Sequence, residues 1–311
     1  MKYKINKEFF PFSILRPPIA KPILKIAQAV IKPPHFFFND KEVKIDKIQF
    51  STFDNELISS YIISPNTLKY NPPCIIFLHG GGFVYEPVNH HYALALEYAK
   101  RTNSKLFLIN YRLSPKIKLP DIVMDVYYAF KYIYNNSNIL GFNINNICII
   151  GDSAGGYLTH NLTSLLKNEN INLKCQLLIY PFLDNSLSSK STRKYTDTPM
   201  WNSKLSNKIT KLILPNNIKY TFPIYKKNLT NFPPTYIEIA EYDSLKDDGR
   251  LYHKLLNKYN VYNEIYEIKG AMHAFDIKLN AETSKEAINM RISFMNKHIN
   301  KDWHIINTVV K

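Results

Sequence analysis

The chain has 311 residues, of which 45% are hydrophobic, and its 40 Lys and Arg outnumber 25 Asp and Glu to give a formal net charge of +15. This length suits one catalytic domain with a small additional cap, and no stretch approaches the roughly 18 apolar residues of a membrane-spanning helix. The lysines are spread along the whole chain, so we expect no nucleic-acid partner, while weak association with anionic membranes stays open.

The N-terminal residues, 1–42, are aromatic and basic. Residues 22–31 carry apolar side chains three and four positions apart, a spacing that predicts a helix with one apolar face, and Pro22 suits the start of a helix. Such a helix either packs over an active site as part of a cap or lies flat on a lipid surface.

Residues 43–184 have the pattern of a mostly parallel sheet. Two runs, 45–51 and 57–63, predict an antiparallel start. Four short apolar runs then suit buried parallel strands, at 74–78, 106–110, 148–150 and 176–180. Three stretches between them suit helices, at 91–100, 122–134 and 154–167. This alternation predicts an α/β domain in which helices flank the sheet.

Two glycine-rich motifs follow strands in this region. The sequence His-Gly-Gly-Gly-Phe occupies residues 79–83, and a glycine run there can turn bare backbone N–H groups toward the oxyanion of an acyl-transfer reaction. The sequence Gly-Asp-Ser-Ala-Gly-Gly occupies residues 151–156 and fits the pattern G-x-S-x-G. Between a strand and a helix, this pattern predicts a tight turn that exposes the hydroxyl of Ser153 as a nucleophile.

Residues 185–230 break the alternation of strands and helices. The stretch begins with a serine-rich polar run and continues with aromatic residues and a short predicted helix at 206–214. We interpret it as a second cap segment, inserted into a catalytic domain that comprises residues 43–184 and 231–311. Trp201, Phe222 and Tyr225 are candidates either for the walls of a pocket or for the core of the cap.

Two further candidate residues follow predicted strands in the last part of the chain. The run that starts at residue 237 delivers Asp243 into a loop, and the run 263–268 leads toward His273. Each residue taken alone has an ordinary structural explanation, such as a helix cap for the aspartate. Together with Ser153, however, they follow the chain order Ser, Asp, His, which is typical of α/β-hydrolases and differs from the chymotrypsin and subtilisin orders.

The motifs resemble those of the hormone-sensitive-lipase-like branch of α/β-hydrolase carboxylesterases. The resemblance extends from about residue 43 to the C-terminus and rests on five motifs, at 79–83, 111–115, 151–156, 241–249 and 272–275. It implies an α/β-hydrolase fold with a mostly parallel central sheet flanked by helices and a helical cap. It also favours the cap over the lipid anchor for residues 1–42.

The resemblance implies specific roles at the matching positions. Ser153 would be the nucleophile, His273 the general base and Asp243 the acid that orients the histidine. The oxyanion donors would be backbone N–H groups, those of Gly81, Gly82 and Ala154. Two further residues would brace the serine turn, Asp152 and Arg112. The sequence departs from the family pattern at three positions outside the triad, namely Glu86, Lys116 and Tyr157.

The predicted function is a serine carboxylesterase that hydrolyses short- to medium-chain acyl esters, acetyl esters included, through an acyl-enzyme. Three alternatives stay open: a lipase-like hydrolase at a membrane interface, an amidase or deacetylase, and a catalytically silent binder of small ligands. The expected partner is a small-molecule ester, and monomer and dimer are both compatible with the sequence.

We expect no cofactor and no metal, because the sequence contains no phosphate-binding loop, no dinucleotide-binding motif and no recognisable metal-ligand spacing. The cysteines lie in strand-like apolar runs, at Cys74, Cys148 and Cys175. Buried reduced thiols are the simplest interpretation, and they favour a cytoplasmic location.

Overall fold

The computed structural model describes residues 2–215 and 221–300. Residue 1, residues 216–220 within the predicted cap segment 185–230 and the last residues of the predicted catalytic domain, 301–311, lie outside this part. The described strands form one eight-stranded sheet, and their bounds are β1 Val43–Ser51, β2 Leu57–Pro65, β3 Cys74–Leu78, β4 Lys105–Ile109, β5 Ile147–Asp152, β6 Cys175–Ile179, β7 Thr235–Tyr242 and β8 Asn263–Met272.

The described α-helices are α1 Lys21–Val30, α2 His35–Phe38, α3 Asn89–Thr102, α4 Leu119–Asn135, α5 Ser137–Leu140, α6 Ala154–Asn168, α7 Lys190–Lys194, α8 Ser203–Ile213, α9 Lys246–Lys258 and α10 Glu282–Ile299. The predicted helices correspond to α1, α3, α4, α6 and α8, with shifts of a few residues at some ends. The sequence analysis missed α9, because the stretch after Asp243 was interpreted only as a loop.

The strand order is β1-β2-β4-β3-β5-β6-β7-β8. The first two strands pair antiparallel, and β2 is also antiparallel to β4, whereas β3 to β8 pair in parallel. This arrangement confirms the predicted mostly parallel sheet with an antiparallel start. Parallel strands end at a common edge, so the loops that follow β3, β5, β7 and β8 are close in space.

Helices cover both faces of the sheet, which explains the continuously apolar central strands. Every residue of β3 and of β5 is buried. On one face, α3 and α10 pack together and contact the sheet, and on the other face α4 packs on α6, which lies against β5. Two large apolar clusters result, one on each face, and a smaller third cluster lies under α9.

The two segments predicted to form a cap contact each other. The backbone N–H of Met200 donates to the carbonyl of Leu15 at 2.7 Å, and the Arg16 guanidinium donates to the carbonyl of Asp197 at 2.7 Å.

Within the described part of the chain, no helix is long and apolar enough to cross a membrane.

Candidate active site

Ser153 lies on a strained turn between β5 and α6. Its backbone has φ 53° and ψ −111°, a sparsely populated positive-φ conformation that costs a non-glycine residue of the order of 1–3 kcal/mol. Glycine at position 155 permits the turn to close, because a Cβ there would lie 1.8 Å from the carbonyl oxygen of Leu78. The G-x-S-x-G spacing therefore forms the predicted strand-to-helix turn.

The structure brings Ser153, His273 and Asp243 together in one hydrogen-bonded chain. Nε2 of His273 lies 2.8 Å from Oγ of Ser153, and Nδ1 of His273 lies 2.6 Å from Oδ2 of Asp243. The other carboxylate oxygen of Asp243 accepts from the N–H of Leu245 at 2.9 Å, which fixes the carboxylate plane. All three side chains are buried, so water competes little for these bonds. This geometry lets the imidazole accept the proton of the serine hydroxyl.

The glycine run after β3 lies beside this chain. Gly81 and Gly82 have φ values of 108° and 61° and line the same cavity as Ser153. Among the described residues, neither of their N–H groups has a hydrogen-bond acceptor in the protein. Ala154 is the first residue of α6, so its N–H also has no acceptor within the helix. These three donors are thus available to a ligand oxygen near Ser153.

Asp152 connects the glycine run to the serine turn. Its Oδ1 accepts from the N–H of Gly80 at 3.0 Å, and its Oδ2 lies 3.3 Å from Nε2 of His91. Burial alone would raise the pKa of the Asp152 carboxyl, but the interactions with His91, His90 and His79 together outweigh burial and hold this pKa at about 2. Asp152 therefore braces the serine turn, as the resemblance implied.

Arg112 does not have the implied bracing position. Its guanidinium pairs with Asp125 of α4 at 2.6 Å and with Asp54 of the β1–β2 turn at 2.8 Å. It therefore fastens the loop after β4 to α4 and to the antiparallel end of the sheet. The neighbouring Tyr111 is the residue of that motif that reaches the site, because its hydroxyl donates to the carbonyl of His79 at 2.6 Å.

A cluster of buried histidines surrounds Asp152. The sequence analysis missed it because Asp152 lies 61 positions after His91, the last of these histidines. Burial lowers the pKa of His79 and of His90 to about 3, so both rings are neutral near pH 7. The ligand atoms of His90, His91 and Asp152 lie within 4.8 Å of one another, close enough to hold a metal ion. However, Nδ1 of His91 accepts from the N–H of Val88 at 3.0 Å, so Nε2 carries the ring proton. That tautomer donates to Asp152 and leaves no lone pair for a metal on Nε2.

Ser153 opens into a cavity of about 430 Å³ with mainly apolar walls. Trp201 lines this cavity, and its ring centroid lies 5.8 Å from that of His273. Phe222 packs instead in the interior against Phe182, and Tyr225 is half exposed and donates to Asp184. Of the three aromatic candidates, only Trp201 is a wall of the cavity.

Glu86 also lines the cavity, at one of the positions that depart from the family pattern. Burial raises the pKa of its carboxyl, and the cation of Lys32 only partly opposes this effect. Among the described residues, Glu86 forms no hydrogen bond within the protein. An acidic group in a mainly apolar wall is available to contact a bound substrate.

A buried ionic network supports the loop that carries His273. Arg291 of α10 pairs with Glu238 of β7 at 2.5 Å and with Asp276 at 2.7 Å, and all three side chains are fully buried. The hydroxyl of Tyr180 donates to the same Asp276 at 2.6 Å, and its ring packs edge-on against His273. The loop after β8 is therefore tied to the interior of the sheet. No local sequence motif indicates this network.

Comparisons with known proteins agree with this architecture. A family model of the α/β-hydrolase fold matches residues 75–277. An arylesterase of Saccharolobus solfataricus is 26% identical over 255 residues, covering 80% of this chain and 80% of that protein. The carboxylesterase NlhH of Mycobacterium tuberculosis is 26% identical over 219 residues, covering 68% and 69%.

Among solved structures, a bacterial heroin esterase superimposes with a TM-score of 0.80 at 22% identity, covering 93% of this chain and 99% of that one. A likeness at this identity concerns the fold alone. The family model, in contrast, matches well over half of the chain. The chain therefore belongs to the α/β-hydrolase family, which confirms the resemblance that its motifs indicated.

Proposed function

We propose that this chain is a carboxylic ester hydrolase in which Ser153 forms an acyl-enzyme. The observation that carries the proposal is the hydrogen-bonded chain Ser153–His273–Asp243 at the wall of an apolar cavity. The names of the arylesterase and carboxylesterase relatives support the same reaction class. Because Ser153, His273 and Asp243 are all present, the site argues against a ligand-binding protein that has lost its catalytic activity.

In the proposed reaction, Oγ of Ser153 attacks the ester carbonyl while Nε2 of His273 takes the hydroxyl proton. Asp243 keeps the imidazole in the required tautomer and stabilises the imidazolium. The N–H groups of Gly81, Gly82 and Ala154 would receive the oxyanion, a contribution that is typically worth a factor of about 10²–10³ in rate for each donor. The alcohol then leaves with the proton from His273, and water repeats the sequence on the acyl-enzyme.

The size and the chemistry of the cavity support short- to medium-chain acyl esters as substrates. A volume of about 430 Å³ lies at the lower end of the usual range for small-molecule sites. Both proposed cap segments contribute to its walls, through Leu15 and Arg16 from residues 1–42 and through Met200 and Trp201 from residues 185–230. We therefore retain these two segments as the proposed cap. The proposed cytoplasmic location rests on three buried free thiols.

The test is hydrolysis of p-nitrophenyl esters from acetate to palmitate by the wild type and by Ser153→Ala. We expect the highest kcat/KM at short to medium chains and a loss of about 10⁶ in kcat in the variant. Ser137→Ala is a matched control, because both serines are 5% exposed and Ser137 lies at the start of α5, outside the cavity. It should retain wild-type kcat. Equal hydrolysis by Ser153→Ala would refute the proposed nucleophile.

A further inference from the structure

The N-terminal segment exposes an unusual number of large apolar side chains. In the described part of the chain, eight of them occur between residues 10 and 38: Phe10, Ile14, Leu15, Ile23, Ile26, Val30, Phe36 and Phe38. Apart from tyrosines, the far longer described remainder exposes only four: Phe53, Leu57, Ile139 and Leu251. Isolated exposed apolar residues are ordinary, but such a concentration in one segment marks an interaction surface.

Helix α1 accounts for the core of this surface, because it has two different apolar faces. One face docks on the protein: Leu24 is fully buried, and the Gln28 amide donates to the carbonyls of Val84 and Ser114 at 2.7 and 2.9 Å. The other face bears Ile23, Ile26 and Val30, which are 44%, 64% and 69% exposed. These three lie three and four positions apart and so form one stripe. The docking of α1 leaves this second stripe uncovered.

The charge of the segment is uniformly positive. Between Phe9 and Asn39 there is no Asp or Glu, whereas four cationic residues are present and exposed: Arg16, Lys21, Lys25 and Lys32. An apolar stripe on a helix that also carries several lysines is the pattern of helices that lie in the plane of a membrane interface. The cations add electrostatic attraction to anionic lipid head groups, and each basic residue near such a surface makes its own contribution.

The segment also borders the cavity of the candidate site. The chain reaches α1 from Leu15 and Pro18 in the cavity wall and returns to the wall at Ile31, directly after the helix. Both ends of α1 are therefore at the cavity. A surface that binds the exposed stripe of α1 would lie next to the cavity that contains Ser153.

We propose that the exposed face of residues 10–30, centred on Ile23, Ile26 and Val30 of α1, docks on an anionic phospholipid surface beside the substrate cavity. The inference goes beyond ester hydrolysis, because it concerns where the protein binds and not what Ser153 does. A second copy of this chain is a poorer occupant. A symmetric contact through this face would bring the cations of two segments together without any acidic partner between Phe9 and Asn39.

The experiment is co-sedimentation of the full chain with phosphatidylcholine vesicles, with and without about one third phosphatidylglycerol. We expect binding to the anionic vesicles that weakens as NaCl is raised from about 0.1 to about 0.5 M, since salt screens the attraction. Ile26→Asp should lower the partition coefficient at least about tenfold, because it removes a large apolar side chain from the lipid contact. Its hydrolysis of a soluble short-chain ester should stay unchanged.

Ile139→Asp is the matched control, since it introduces the same charge at an exposed isoleucine of α5. This helix lies at the amino-terminal end of β4, where Lys105 donates to the carbonyl of Leu140. It should bind vesicles like the wild type, and so should Ser153→Ala, which separates docking from catalysis. Three results would overturn the proposal: no binding to anionic vesicles, equal loss in Ile139→Asp and Ile26→Asp, or a solution dimer that Ile26→Asp dissociates.

Discussion

Asp243→Asn tests how the candidate triad works, because the structure fixes how the new amide must be oriented. One oxygen of Asp243 accepts from the N–H of Leu245 at 2.9 Å, and the other faces Nδ1 of His273 at 2.6 Å. After substitution, the amide oxygen must face the N–H of Leu245, because the amide NH₂ group in that place would put two hydrogen-bond donors against each other. The NH₂ group therefore points at His273.

This orientation forces the wrong tautomer on the imidazole. Nδ1 of His273 has to accept from the amide, so the ring proton moves to Nε2, which faces Oγ of Ser153 at 2.8 Å. A protonated Nε2 can donate to the serine but cannot take its proton. In serine hydrolases this change typically lowers kcat by about 10⁴, equivalent to about 5.5 kcal/mol of activation free energy.

The assay is steady-state hydrolysis of p-nitrophenyl acetate together with the melting temperature. The matched control is Asp247→Asn, since this half-buried carboxylate accepts a bond from the N–H of Ser191 that an amide oxygen can also accept. We expect this control to retain kcat within about twofold. A loss of less than about tenfold in Asp243→Asn, with an unchanged melting temperature, would refute the tautomer argument.

Two further substitutions test the supports of the site. Gly155→Ala would place a Cβ 1.8 Å from the carbonyl oxygen of Leu78. We therefore expect the turn to shift and kcat to fall about 10²-fold or more. A variant with the kcat and the melting temperature of the wild type would contradict this expectation. Arg291→Leu would leave the fully buried Glu238 and Asp276 without their cation. We therefore expect the free energy of unfolding, measured with denaturant, to fall by about 3–5 kcal/mol. A decrease below about 1 kcal/mol would contradict the stabilising role of this network.

The sheet and the candidate triad could be predicted because both depend on local patterns. The run Cys74–Leu78 is apolar without alternation, as a strand covered on both faces must be, and its predicted bounds are those observed. Ser153 and the glycine run are recognisable because a close turn tolerates few residue types. Each pattern also follows a strand, so the parallel order of the sheet brings the corresponding loops to one edge.

The surroundings of the site could not be predicted, because they depend on contacts between segments that are distant in sequence. His91 and Asp152 are 61 positions apart, and Arg291 and Glu238 are 53 apart. Before the fold is known, a buried arginine in a helix looks like a surface residue. The second apolar face of α1 was hidden for a related reason: the spacing predicts a helix with one apolar face, but not which apolar residues the protein covers.

The N-terminal segment also connects the proposed lipid-binding face to the position of His273. The N–H of Asn6 donates to the carbonyl of Gly270 in β8 at 2.9 Å, and Glu8 accepts from the N–H of Glu282 at the start of α10 at 2.8 Å. Since β8 is an edge strand and ends directly before His273, this segment secures the strand that positions the proposed general base. An N-terminal segment that only covered a cavity would not need these bonds. The same N-terminal segment would therefore dock on lipid through α1 and hold, through Asn6 and Glu8, the strand that precedes the proposed general base.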